Sequence, residues 1–159
     1  MIDKLDMYNE SLVEELFQLQ QIAYRLEAQL IGFEEIPPLA DTITTLKRSS
    51  DIFYGYTSAE GRLIGAIAVE EEFPGELTLT RMMVHPDFFR QGIATRLIAY
   101  IFLHYPNFKT YKVSTGTTNE PAMRLYQNFG FVAFRKEYVA PGVELTTLRR
   151  QADPPTITR

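Results

Sequence analysis

Two stretches of this chain hold residues whose types and spacing can do chemistry. The first runs Met82-Met83-Val84-His85-Pro86-Asp87-Phe88-Phe89-Arg90-Gln91-Gly92-Ile93-Ala94-Thr95-Arg96. It reads as a strand, a short loop, and a helix that opens on Gly92 and Ala94. Small residues at that point let backbone N–H groups come close to a ligand. The helix N-terminus also turns unpaired N–H groups and partial positive charge outward. Arg90 and Arg96 add charge with no acid between Phe88 and Arg96. A phosphate or pyrophosphate suits such a place. A glycine that only opens a packed helix would leave the same local pattern, so the stretch is weak by itself.

The second stretch runs Asn119-Glu120-Pro121-Ala122-Met123-Arg124-Leu125-Tyr126-Gln127-Asn128-Phe129-Gly130-Phe131. Asn119 and Tyr126 are two helical turns apart and share a face, with the small Ala122 between them leaving a groove. An aromatic hydroxyl beside a groove can give a proton to a leaving group. The plainer reading makes Tyr126 a core aromatic with a wet hydroxyl and Asn119 only a helix cap.

Both stretches need elements to hold them. Leu12, Leu16, Leu19, Ala23, Leu26 and Leu30 recur at helical spacing after a Ser11/Glu14 capping-box signature, predicting a long helix that ends near Gly32. Pro37 and Pro38 then start a shorter helix through about Leu46. Strands follow at Ile52–Tyr56, Leu63–Val69 and Leu77–Val84, separated by the turns Ser58–Gly61 and Phe73-Pro74-Gly75. They read as an antiparallel meander, the almost wholly apolar Leu63–Val69 being covered on both faces. A helix carries Ile93, Leu97, Tyr100 and Ile101 on one face, and Tyr111–Ser114 is a strand. Asn119 caps a helix to Asn128, with Gly130 where a left-handed residue is wanted. Phe131–Val139 and Val143–Leu148 close the pattern around Pro141-Gly142, and the tail Gln151–Arg159 is expected loose or edge-bound. The order α-α-β-β-β-α-β-α-β-β places the chain in the α/β class in its mixed α+β form, a layered sheet with helices on both faces. Residues 1–150 form a single domain and 151–159 a tail.

Composition narrows the function. The 159 residues suit one domain, and 45% apolar with 23% charged residues is globular. Lys plus Arg number 16 and Asp plus Glu 20, a net charge of −4 that argues against nucleic acid or an anionic membrane as a general partner. Cysteine is absent and only His85 and His104 occur, which removes a disulfide scaffold, a thiolate metal site and a Cys nucleophile, and disfavours a His-rich metal site. The expectation is a cytoplasmic protein with no metal, no signal peptide and no membrane span.

Together the strand-Val-x-Pro-x(5)-Gly-x-Ala-helix segment and the later Asn-x-x-Ala-x-x-Leu-Tyr-x-x-x-Gly-Phe segment resemble the GNAT superfamily of N-acetyltransferases. The resemblance in element order spans Met7 to Leu148, its motifs Leu77–Phe131. It implies a mixed, largely antiparallel, V-shaped sheet of about six to seven strands, and acetyl-coenzyme A as donor with coenzyme A as product. By this likeness the backbone of Met83 and Val84 pairs with the coenzyme's pantetheine arm. The loop matching Arg90, Gln91, Gly92, Ile93, Ala94 and Thr95 holds the pyrophosphate, and Asn119 contacts the arm. Tyr126 lies near the thioester sulfur. The implied reaction is direct attack by a primary amine of a small molecule or peptide. A backbone N–H, with Met83 the candidate, steadies the oxyanion, and Tyr126 protonates the departing thiolate. A homodimer is left open.

Two departures from the family pattern stand out. Phe89 occupies a position that is usually Arg or Gln, with Arg90 next door as a substitute. On the fourth strand Thr80 and Arg81 stand where many members carry a glutamate base. Base candidates are Glu70, Glu71, Glu72, Glu34, Glu35 and His85, each with a plain reading as solvated charge. The acceptor pocket is expected from Ile31–Asp41 and the Val139–Val143 turn, with Glu34, Glu35 and Asp41 drawing a cationic amine and Phe33, Tyr54 and Tyr56 as an aromatic wall. A non-catalytic acyl-coenzyme A sensor is the main rival. A nucleotide-phosphate module ranks last, because it leaves the Asn119–Tyr126 helix without a role.

Overall fold

The structure is a computed structural model that describes residues 1–152. Its first helix, α1 (Glu10–Ile31), forms where Val13, Leu16, Leu19, Tyr24 and Ala28 keep one buried stripe. The cap is Asn9, whose side chain accepts from the Leu12 N–H at 3.2 Å, so the expected cap Ser11 lies inside the first turn. Gly32 ends α1 in a left-handed conformation, as expected. The expected Pro37–Leu46 helix is two pieces, a 3₁₀ turn at Pro37–Ala40 and α2 (Ile43–Arg48). Thr42 and Thr45 explain the break, since they exchange side-chain and backbone bonds in a capping box that starts a new helix.

Seven strands follow the order β1-β2-β3-β4-β5-β7-β6. They are β1 (Ile2–Lys4), β2 (Ile52–Thr57), β3 (Leu63–Phe73), β4 (Glu76–Val84), β5 (Thr110–Gly116), β6 (Val132–Ala140) and β7 (Val143–Gln151). Strand β1 was not expected, because its short polar sequence has no strand pattern and it forms only by lying along β2, with Ile2 opposite Tyr56. Strand β3 outruns its apolar core because pairing with β4 continues to the tight turn, where Phe73 faces Glu76. Gln151 extends β7, and the rest of the expected tail, 153–159, lies outside the described residues.

Only β4 and β5 run parallel, and they pair only from Glu76–Leu79 against Thr110–Val113. Past those rungs β4 continues beside β3 while β5 continues beside β7. The sheet is therefore a V whose arms part beyond Leu79 and Val113. One face is closed by α1 and α2 over Phe53, Leu63, Ala66, Ala68 and Met83. The other is closed by α3 (Ile93–His104) and α4 (Glu120–Asn128) over Ile64, Ile67, Val69, Tyr111 and Leu148. No helix among the described residues is long and apolar enough to cross a membrane.

Candidate active site in the split of the sheet

Where β4 and β5 part, two cavities meet at a common wall of Glu27, Met82, Asn119, Ala122 and Leu125. The first, about 580 Å³, runs from that wall past Met83 and Val84 to Arg90, Gly92, Ile93, Ala94 and Thr95. The second, about 630 Å³, holds Tyr24, Tyr126, Asp41, Asp51, Glu70 and Arg81. Eight of the ten residues expected on a coenzyme therefore share the first cavity. Tyr126 faces the second, and Gln91 faces a separate hollow beside Tyr56 and Arg96.

The far end of the first cavity is made of backbone. After β4 the chain makes a 3₁₀ turn, Pro86–Phe88, capped by His85, whose Nδ1 accepts from the Asp87 N–H at 3.1 Å. Arg90 (φ 63°) and Gly92 (φ 75°) are then both left-handed, a setting that gathers N–H groups into a concave, anion-attracting surface. No side chain caps α3, so the first-turn donors of that helix keep their affinity for an anion. A Cβ built on Gly92 would meet nothing within 4 Å, so the cradle is open above it. Phe89 is half exposed at the rim, and Arg90 lines the cavity beside it.

The common wall carries the least expected residue. Glu27 accepts hydrogen bonds from Asn119 Nδ2 at 3.2 Å and Thr115 Oγ1 at 3.5 Å. Burial pushes its carboxyl above the ordinary glutamate range, against the downward pull of those two donors. It reaches β5 because Ile31, one turn on, sits where a Cβ on Gly116 would be, 2.6 Å from Ile31 Cγ2. Asn119 meanwhile caps α4, its Oδ1 accepting from the Ala122 N–H at 3.3 Å. One side chain thus ties α1 to the start of α4.

One turn before Glu27, the Tyr24 hydroxyl accepts the Met82 N–H at 3.0 Å. Along a strand, successive N–H groups point to opposite sides. The His85 N–H donates to Ile64 on β3 at 2.8 Å, so Met83 also points toward β3 while Met82 and Val84 point toward the cleft. The backbone donor expected at Met83 is corrected by this alternation: its N–H faces away. Tyr126 is 4% exposed, and its hydroxyl has no hydrogen-bond partner among the described residues. Burial, with Tyr24 and Glu27 nearby, pushes that hydroxyl well up, so it keeps its proton at neutral pH.

The other expectations sort unevenly. Asp41 and Glu70 line the second cavity, while Glu34 and Glu35 are exposed and line neither. Glu72 pairs with Lys112, and His85 engages Arg62 and Asp87. The expected aromatic wall is absent from the second cavity: Phe33 packs against the α1 cluster, Tyr54 bonds to Tyr105 and Tyr56 to Arg96. Glu27 and Tyr24 went unseen in the sequence. Their trace there is a polar run, Gln20, Tyr24 and Glu27, spaced along the stripe that α1 buries.

A family profile described as an acetyltransferase (GNAT) domain matches residues 49–133, more than half of the chain. The chain belongs to the GNAT acetyltransferase family. Solved GNAT-like structures share the fold across almost the whole chain. The ribosomal-protein-S18-alanine N-acetyltransferase of Escherichia coli has a TM-score of 0.75 at 16% identity, covering 98% of this chain and 96% of that one. Ard1 of Thermoplasma volcanium has 0.71 at 22% identity, covering 97% and 98%. An aminoglycoside 6'-N-acetyltransferase solved with coenzyme A has 0.75 at 13% identity, covering 99% of each. In sequence the chain is 34% identical over 146 residues to the UPF0157 protein YqkA of Bacillus subtilis. That match covers 92% of this chain but only 42% of the relative, so the chain spans about two-fifths of that protein's length.

Proposed function

We propose that this cleft moves an acetyl group from acetyl-coenzyme A to a primary amine. The observation that carries the reading is the meeting of the two cavities at Glu27 and Asn119, with an anion cradle at one far end and carboxylates in the other. The first cavity fits the coenzyme: its end offers uncapped N–H groups, the Arg90 side chain and open space over Gly92. When bound, acetyl-coenzyme A supplies a thioester carbonyl whose C–S bond breaks as an N–C bond to the amine forms.

The chain's residues do the rest. Arg90 and the backbone from Gly92 to Thr95 hold the pyrophosphate, with Gln91 completing the loop, while Val84 offers its cleft-facing N–H to the arm. Asn119 stays bonded to Glu27 and borders the arm. Glu27 takes the proton that an ammonium must shed before its lone pair is free, a task suited to a carboxyl held above its usual range. Tyr126 Oη holds a proton for the departing sulfur. The Met82 N–H is spent on the Tyr24 hydroxyl, which leaves that hydroxyl's own proton to meet the oxyanion from the cleft side of β4.

Only one feature favours a non-catalytic acyl-coenzyme A sensor, the lack of an acid on β4 at Thr80 and Arg81. Glu27 fills that gap from α1. Coenzyme release measured across small amines, amino acids and peptides separates the two. Turnover with an amine supports transfer, and tight acetyl-coenzyme A binding with no turnover on any amine overturns it in favour of the sensor.

A further inference from the structure

The second cavity carries an imbalance of charge that acetyl transfer alone does not need. Glu27, Asp41, Asp51 and Glu70 line it against a single guanidinium, Arg81. Arg81 is already committed: it pairs with Asp41 at 3.1 Å and with Asp51, and stacks over the Phe53 ring at 5.2 Å. Glu70 accepts only from Ser50 Oγ at 2.7 Å, and Glu27 only from Asn119 and Thr115. Neither has a cationic partner among the described residues.

We propose that the acceptor is a dication, a primary amine with a second cationic group a few carbons away, its reacting nitrogen at Glu27 and its second charge at Glu70 and Asp51. This rests on the reading of the cleft as an acetyl-transfer site and names what that site takes.

The two acidic ends flank β4 from opposite sides. Glu27 bonds to residues at the end of β5 and the start of α4. Glu70 lies on β3, and Asp51 precedes β2 and accepts from Thr80 on β4. Where β4 pairs with both, strands β3 and β5 are two strand spacings apart, on the order of 10 Å, and the gap widens toward Thr115. A short diamine spans such a gap, and an alkyl link between the charges would lie along Ile36, Leu79 and Val113. Burial first, and Glu70 as a like charge, hold the Asp51 carboxyl above its usual range, while Thr80 and Arg81 pull it down. An arriving cation relieves that crowding. Tyr126, more than nine-tenths buried and with no hydrogen-bond partner for its hydroxyl among the described residues, turns the same cavity toward a polar guest. The reacting ammonium gives its proton to Glu27 and becomes an amide, and the second group keeps its charge.

Diaminobutane, butylamine and γ-aminobutyrate share one chain length and differ only at the far end. Their coenzyme-release kinetics should rank in that order, with kcat/KM for the diamine about tenfold or more above butylamine. Glu70→Gln should narrow that ratio mainly by raising the KM for diaminobutane. Calorimetry of diaminobutane and butylamine with the wild-type chain gives a readout independent of turnover, and of whether the variant folds. Equal affinity for the two amines, or γ-aminobutyrate or an uncharged peptide matching the diamine, overturns the dication site. Preferential diaminobutane binding with no turnover of any amine retains the dication site and overturns acetyl transfer instead.

Discussion

The two cavities that meet at Glu27 are built by different means. The first is made largely by one continuous run, from Met82 through Thr95, and its polar groups are backbone donors at a left-handed turn and a helix start. The second is made by residues from α1, the Pro37–Ala40 turn, the approach to β2, strands β3, β4, β5 and β7, and α4. A backbone cradle accepts a group that every reaction of a family shares, because main-chain donors do not change with side-chain identity. A side-chain chamber can change with its residues, because wall positions outside the core, such as Ser50 and Glu70, can be replaced without disturbing the strands' pairing. On the proposed reading, the donor half is the backbone cradle and the acceptor half is the side-chain chamber around Arg81.

The sharpest way to break the donor half is Gly92→Glu. A side chain at φ 75° is strained, and a carboxylate there occupies and repels the anion position. The rise in melting temperature that acetyl-coenzyme A should give the wild type is expected to vanish altogether. Retention of the full rise in the variant would remove the loop from coenzyme binding.

Glu27→Gln attacks the wall common to both cavities while keeping a group that can bond to Thr115 and Asn119. A loss of about 10³-fold in kcat is expected, with coenzyme binding retained. The pH profile supplies a second check. Because burial raises the Glu27 carboxyl, protonation begins at a higher pH than for a free glutamate, and only the ionised form accepts the amine's proton. Activity should fall as pH drops through that raised value, and the acid limb should disappear in Glu27→Gln.

Tyr126→Phe removes one oxygen and leaves the ring packed against Phe131. The expected loss is about 10²-fold, in kcat more than KM, because a thiolate is a fair leaving group even without help. A variant that folds, binds coenzyme and turns over at the wild-type rate would reduce Tyr126 to packing.

The smallest effect belongs to Glu34→Gln combined with Glu35→Gln. The sequence suggests that these acids attract the acceptor, but the structure leaves them exposed and outside both cavities. KM for any amine should stay within about twofold of wild type. A larger rise would extend the acceptor chamber to the segment between α1 and the Pro37–Ala40 turn.

Most of the elements, and the loop and helix starts that line the first cavity, are legible in the sequence because their signals are local. The α3 start at Gly92 and the α4 cap at Asn119 each depend on neighbours within a few residues, and both lie where the spacing puts them. Strand β1 left no trace, since three residues, two of them charged, become a strand only when β2 offers its edge. The cap falls at Asn9, whereas the sequence points to Ser11 because Ser11 and Glu14 offer a capping-box pattern two residues farther on, inside the first turn. The side to which the Met83 N–H turns is not legible in the sequence, because spacing identifies a strand but not which side its N–H groups face; Ile64 and Tyr24 decide that.

By itself the sequence determined a mixed α+β chain, the order of its helices and strands from α1 to β7, and the contiguous loop after β4. Each of these follows from periodicity, capping and glycine placement within short windows. Only the tertiary structure decided that Glu27 stands between the two cavities and that Asp51 and Glu70 line the second. Glu27 and Asn119 are 92 residues apart in the chain and 3.2 Å apart in space. That closeness depends on α1 lying tight against Gly116, and on the parallel pair β4–β5 releasing its last rungs to open the cleft. Neither is written in any local pattern, because both are properties of how distant surfaces pack.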